Sequence, residues 1–168
     1  MDEHMRRLTR PALLLAALLA LSAFTKQAAP PAAYSQPTEE RIAQETLPQS
    51  HAQLWDTLLK TKIHIDTKKG LFSATYPPEV KALDGKMVTI TGFMLPVETT
   101  VKFKHFILAK RTPTCPYCPP GEPNEIIDVW LDQKVEYTEN LLTITGTFGF
   151  MNNQQFGMFF KLTNGKIP

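Results

Sequence analysis

"KMVTITGFML", residues Lys86 to Leu95, alternates from Met87 onward: Val88, Ile90, Gly92 and Met94 fall on one side. A period of two is the pattern of a strand with one face toward a core and the other toward water. Strand character continues downstream. "VKFKHFILAK" (101–110) is strand-like, and "EIIDVWL" (125–131) is short, apolar and β-branched. "NLLTITGTFGFM" (140–151) alternates over a long run, and "FGMFFKLTNGKI" (156–167) closes the chain. Asp84-Gly85, Asn152-Asn153 and Asn164-Gly165 read as turns between these runs. Gly92, Gly146, Gly149 and Gly157 lie within them, where glycine marks bulges and sharp bends. There is no βαβ rhythm and no internal repeat. The expected fold is mainly β, a β-rich α+β domain. It is either a small five-stranded antiparallel barrel of the OB type or a curled antiparallel sheet, with an N-terminal helix.

That helix is expected in "SHAQLWDTLLKTKI" (50–63). Ser50 and Gln53 form a capping box, and Leu54, Leu58, Trp55 and Leu59 share one face. "TEERIAQE" (38–45) reads as a shorter helix capped by Thr38. "KTKIHIDTKKG" (60–70) reads as a polar connection. Further upstream, "QAAPPAAYSQPTEE" (27–40) has the composition of a flexible lead-in. "MRRLTR" followed by the apolar run "PALLLAALLALSAF" (11–24) describes a secretory signal peptide. The run is shorter than the roughly 20 residues of a membrane span, so contact with a membrane is expected only if the signal stays uncleaved. No cysteine follows the apolar run, which excludes a lipoprotein anchor. The expected organisation is a signal peptide over 1–29, a flexible linker or short helix over 30–49, and a β-rich OB-like domain over 50–168. The expected location is periplasmic or secreted.

The chain has 18 Lys and Arg against 16 Asp and Glu. Without residues 1–29 it keeps 14 of each, so the basic excess belongs to the targeting signal. A neutral domain has no electrostatic footprint for nucleic acid, and none is expected as a partner.

Both cysteines lie in "RTPTCPYCPPGEPNE" (111–125). CPYC is a redox tetrapeptide when a helix starts at its first cysteine and lowers the thiol pKa. Here Pro119 and Pro120 would fall where the first internal helix bonds need amide donors, and proline has none. The βαβ context is absent too. A thiol-disulfide enzyme with Cys115 as nucleophile is therefore the disfavoured alternative. Three other readings stand. Cys115 and Cys118 form a structural disulfide, stabilising by about 2 kcal/mol at most across so short a loop. Or they are two thiolate ligands for zinc or copper(I), with His105 on the preceding strand as the nearest third donor. Or the loop is a rigid, proline-rich connection.

Other residues have plainer readings. His105 reads first as a strand-face histidine and only second as a ligand, His64 as part of a solvated connection, and His51 as a first-turn surface residue. Phe148, Phe150, Phe156, Phe159 and Phe160 read as barrel core. A base-stacking platform would need interleaved basic residues, and "GTFGFMNNQQFGMFF" (146–160) has none. No Ser/His/Asp grouping, phosphate-cradling glycine loop or paired carboxylate motif occurs.

"LDGKMVTITGFMLPVE" (83–98), "FKHFILAK" (103–110) and "CPYCPPGEPNEIIDVWL" (115–131) together resemble a family of small bacterial exported proteins known only as a domain of unknown function. The resemblance matches Cys115 to the family cysteine, and Pro119, Pro120, Pro123 and Asn124 to its proline run and closing Asn. Where the family often has a histidine two residues after its cysteine, this chain has Tyr117, and a second thiol at Cys118. If the family pair is a metal-binding Cys-x-His, the resemblance implies a substituted Cys-x-x-Cys. It also implies a periplasmic accessory protein, associated with transport or metal handling. The expected function is accordingly a non-enzymatic exported accessory or binding protein contacting zinc or copper through Cys115, Cys118 and His105. The rival class is an adaptor docked on an envelope protein or transporter component, with a structural disulfide.

Overall fold

The computed structural model describes residues 36, 38–114 and 120–168. The signal peptide expected over 1–29, the start of the linker, and both Cys115 and Cys118 lie outside the described residues.

Among the described residues two helices come first, α1 (Thr38–Glu45) and α2 (Gln53–Leu58). A hairpin follows, β1 (Lys62–Asp66) and β2 (Leu71–Thr75), then a one-turn helix α3 (Pro78–Lys81). The remaining strands are β3 (Met87–Pro96), β4 (Lys102–Ala109), β5 (Ile126–Glu136), β6 (Leu142–Asn153) and β7 (Met158–Lys166). These five form a closed barrel in the order β3-β4-β5-β7-β6. Four seams are antiparallel, but β5 and β7 run parallel, which corrects the expected all-antiparallel pairing. The alternation of each strand is indifferent to the direction of its neighbour, so it carried no sign of this seam.

The inward residues of the alternating runs fill the barrel: Ile90, Met94, Phe106, Leu108, Ile127, Val129, Ile144, Phe148, Phe160 and Leu162. Trp55 and Leu58 of α2 and Val80 of α3 join the same core. Closure depends on β3 changing partners. It pairs with β6 through Met87–Gly92 and with β4 through Phe93–Pro96. A Cβ on Gly92 would stand 2.7 Å from the Ala109 carbonyl oxygen and 2.8 Å from Leu108 Cγ, so only glycine lets the strands approach there. Outside the barrel, the hydroxyls of Thr89 and Thr145, and of Thr91 and Thr143, bond across the β3–β6 seam at 2.8 Å.

Four local expectations are corrected. Helix α2 starts later than the capping box implied, with Ala52 at the N-cap and no side-chain cap. The Ser50 hydroxyl instead donates to the Thr91 carbonyl at 2.5 Å, and Trp55 Nε1 donates to the same oxygen at 2.8 Å, tying α2 to β3. The segment read as a polar connection is the β1–β2 hairpin. There Asp66 Oδ1 accepts the amides of Lys68 and Lys69, and Gly70 takes the left-handed φ that the turn needs. His64 sits exposed on β1 and His51 is exposed before α2. Asn164-Gly165 is not a turn but a bulge inside β7: Asn164 has φ 52 and the β5–β7 register slips opposite it. Finally, Phe156 is 66% exposed in the β6–β7 turn rather than in the core.

Candidate functional site

Strand β4 ends at Ala109 and β5 begins at Ile126, so residues 110–125 bridge them and carry both cysteines. Helix α1 meets the stem of this bridge. Its apolar residue Ile42 is exposed and its buried residue is Gln44, so it does not dock through an apolar stripe. Its polar side chains make the contacts. Gln44 Nε2 donates to the Thr112 carbonyl at 3.0 Å and to the Pro120 carbonyl at 3.1 Å. One amide group thus joins the outgoing and returning arms of the loop. Gln36 Nε2 orients that amide by donating to Gln44 Oε1 at 2.6 Å. The Thr114 hydroxyl, next to Cys115 in sequence, donates to Glu40.

A charged clamp lies beside this amide. The Glu125 side chain is only 2% exposed, and Arg41 grips it with two bonds of 2.6 and 3.1 Å. Arg111 Nε adds a third at 3.2 Å, and the Glu122 amide a fourth at 3.2 Å. Burial alone would raise the Glu125 carboxyl. The Arg41 bonds and charge, the Glu122 amide and the Arg111 charge outweigh it and hold the carboxyl below the usual glutamate range. Glu122 goes the other way: burial first, and the nearby Glu125 charge, push it up against the pull of Arg41. The Lys110 amine is lowered by burial and then by Arg111, and donates to Gln49 Oε1 at 2.9 Å.

The prolines and Asn124 fix the returning arm. Asn124 Nδ2 donates to the Thr61 and Leu59 carbonyls just beyond α2, at 3.1 and 3.3 Å. Pro123 packs so closely on Gly157 that a Cβ there would come within 2.9 Å of its ring. From Pro120 to Glu125 the chain makes turns and no helix. On the other side of the stem, Pro113 and Thr114 join Leu95, Pro96, Val101, Phe103 and Tyr137 around an open apolar groove of about 620 Å³.

His105 has a different setting. It stands on the outer face of β4, opposite Trp130 of β5. Its Nε2 lies 2.6 Å from Asp128 Oδ1, and Trp130 Nε1 donates to Asp128 Oδ2 at 2.8 Å. The two rings stack 4.0 Å apart at 12°. The other ring nitrogen, Nδ1, is 3.7 Å from Glu98 Oε1 on the β3–β4 connection. Among the described residues no group of three or more His, Cys, Asp or Glu side chains is placed to hold a metal ion. Asp128 was missed by sequence reasoning. Its signal was one acid in the apolar run "EIIDVWL", two residues before a Trp and therefore on the same strand face. The clamp was missed entirely, because Arg41 and Glu125 are 84 residues apart.

The model of the family described as a protein of unknown function (DUF3299) matches residues 26–158. Among solved structures, the chain is similar to a DUF3299 family protein from Pseudomonas aeruginosa PAO1, with 24% identity and a TM-score of 0.45. That match covers 54% of this chain and 63% of the other. No curated protein matches.

Proposed function

The chain belongs to the DUF3299 family, and from that premise we propose that it is an exported, non-enzymatic binding protein whose two-cysteine loop contacts a soft metal ion, zinc or copper(I). The observation that carries the proposal is the loop stem. Both arms are bonded to Gln44, and Glu125 is gripped by Arg41 and Arg111 beside them. Ordering a loop on binding costs affinity, and a stem fixed beforehand lowers that cost. Two thiolates at C-x-x-C spacing suit zinc or copper(I). The absence of helix over Pro120–Glu125 supports the non-enzymatic side, since an activating helix N-terminus would continue through that segment. His105, the expected third ligand, has its Nε2 committed to Asp128, which leaves Cys115 and Cys118 as the proposed contact. The closed five-stranded barrel supports an OB-type reading of the fold. The signal-like N-terminus supports a periplasmic or secreted location.

A second reading rests on the apolar groove, where Val101 is 86% exposed. In it the chain is an adaptor that docks on an envelope protein or transporter component, and the cysteines form a structural disulfide.

Copper(I) titration of the reduced, exported protein separates these readings. The proposal expects one thiol-dependent equivalent, lost in Cys115→Ser/Cys118→Ser. Equal binding by both proteins, or catalytic turnover of a disulfide substrate by the unaltered chain, would overturn it.

A further inference from the structure

The outer face of β4 and β5 holds a donor pair that the loop reading does not use. Asp128 is nearly buried, accepts from Trp130 Nε1 and lies 2.6 Å from His105 Nε2. Trp130 also stacks on the imidazole, so the ring is fixed in plane and in rotation. A proton on Nε2, shared with Asp128, leaves Nδ1 of the neutral ring with a free lone pair. Nδ1 lies 3.7 Å from Glu98 Oε1. A charge-assisted N–H···O contact would close to about 2.7–2.9 Å. Two donors on one tetrahedral zinc ion, each about 2.1 Å from it, stand roughly 3.4 Å apart. The observed gap is too wide for the first and near the second, and Glu98 is half-exposed on a strand connection. A histidine whose second nitrogen is held by a carboxylate is also the usual arrangement of a metal-binding imidazole.

We propose that His105 Nδ1 and Glu98 form an open site for a divalent transition metal ion, zinc or copper(II), with Asp128 and Trp130 as positioning residues and water completing the coordination. Imidazole with carboxylate suits these ions. Two protein donors make the site exchangeable rather than structural. It is independent of the thiol loop.

The test is made on Cys115→Ser/Cys118→Ser protein, where thiols cannot contribute. Calorimetry with zinc is expected to show one equivalent. Copper(II) is expected to quench Trp130 fluorescence, because the indole lies against the ligating ring, while Trp55 in the core keeps its emission. His105→Gln is expected to abolish both signals. Asp128→Asn is expected to weaken zinc binding by about 10–100-fold. Glu98→Gln, at a half-exposed side chain, removes one of the two protein ligands and is expected to weaken it at least as much as Asp128→Asn, by about 10–100-fold or more. No zinc binding by the double-serine protein, or binding unchanged in both His105→Gln and Glu98→Gln, would overturn the site. Either result leaves the loop proposal standing, since that is read by copper(I) on the intact thiols.

Discussion

The barrel and the stem of the cysteine loop are held by opposite physics. The barrel is a closed ladder around an apolar interior in which Phe106, Phe148, Phe160 and Leu162 are almost wholly buried. The stem takes its apolar contacts from prolines such as Pro123, packed on Gly157, and Pro113, in the groove. It is fixed by Gln44, Arg41, Arg111 and Glu125, whose bonds are directional and specific to one arrangement. Apolar burial is tolerant of sequence and gives the molecule its stability. Polar clamping adds little net stability, because each group leaves water to make its bond, but it fixes where a loop begins and ends. A protein that must present a short loop in one geometry on a stable body has a use for both.

The largest break in this contrast should come from the core. Phe148→Ala is expected to lose about 3–5 kcal/mol of stability in urea unfolding, by removing a fully buried ring from a closed barrel. Glu125→Ala should cost less, about 2–3 kcal/mol, since it strands two partly exposed arginines. Its characteristic effect is on pH. Glu125 is depressed in the folded state, so its contribution is present above the ordinary glutamate value of about 4.3 and is lost as pH falls from there through the folded value. The acid limb of the stability curve should flatten in Glu125→Gln. Glu122 is raised, so it destabilises above its folded value and that penalty is relieved as pH falls from there to about 4.3; Glu122→Gln should remove this change, above the window in which Glu125 acts. Gln44→Ala is expected to cost about 1 kcal/mol, read as a correspondingly small shift of the unfolding midpoint. A loss near that of Phe148→Ala would mean that the stem is part of the barrel's own core. At the bottom of the scale, removing the exposed Lys102–Glu136 pair should change stability by less than about 0.5 kcal/mol.

The two regions were also unequally legible. "KMVTITGFML" and "NLLTITGTFGFM" announce β3 and β6 because burial imposes alternation on each strand separately. The parallel β5–β7 seam is set by chain path, which alternation does not record. Asn164-Gly165 has the chemistry of a turn and of a bulge alike, since both need positive φ, and only the long continuation of β7 decides between them. Nothing in "TEERIAQE" marks its partner. A helix with acids, Arg41 and Gln44 on its surface looks solvated until the loop that it holds comes back from β4. The prolines around the cysteines did exclude helix from the returning arm, because missing amides are a local fact. Asn124 could be seen as a fixed point, but its anchor at Leu59 and Thr61 belongs to another part of the chain.

Copper(I) affinity of an Arg41→Ala/Gln44→Ala protein, compared with the unaltered chain, tests the central claim most directly. Arg41 and Gln44 bond helix α1 to the loop stem, so removing these two side chains should loosen the stem, at a cost in unfolding of about 3 kcal/mol set mainly by the Glu125 carboxylate left with Arg111 and the Glu122 amide. The account predicts one thiol-dependent equivalent in both proteins, bound at least tenfold more weakly when the clamp is gone. Equal affinity in the two proteins would contradict it, because the clamp would then hold nothing that the loop's chemistry needs.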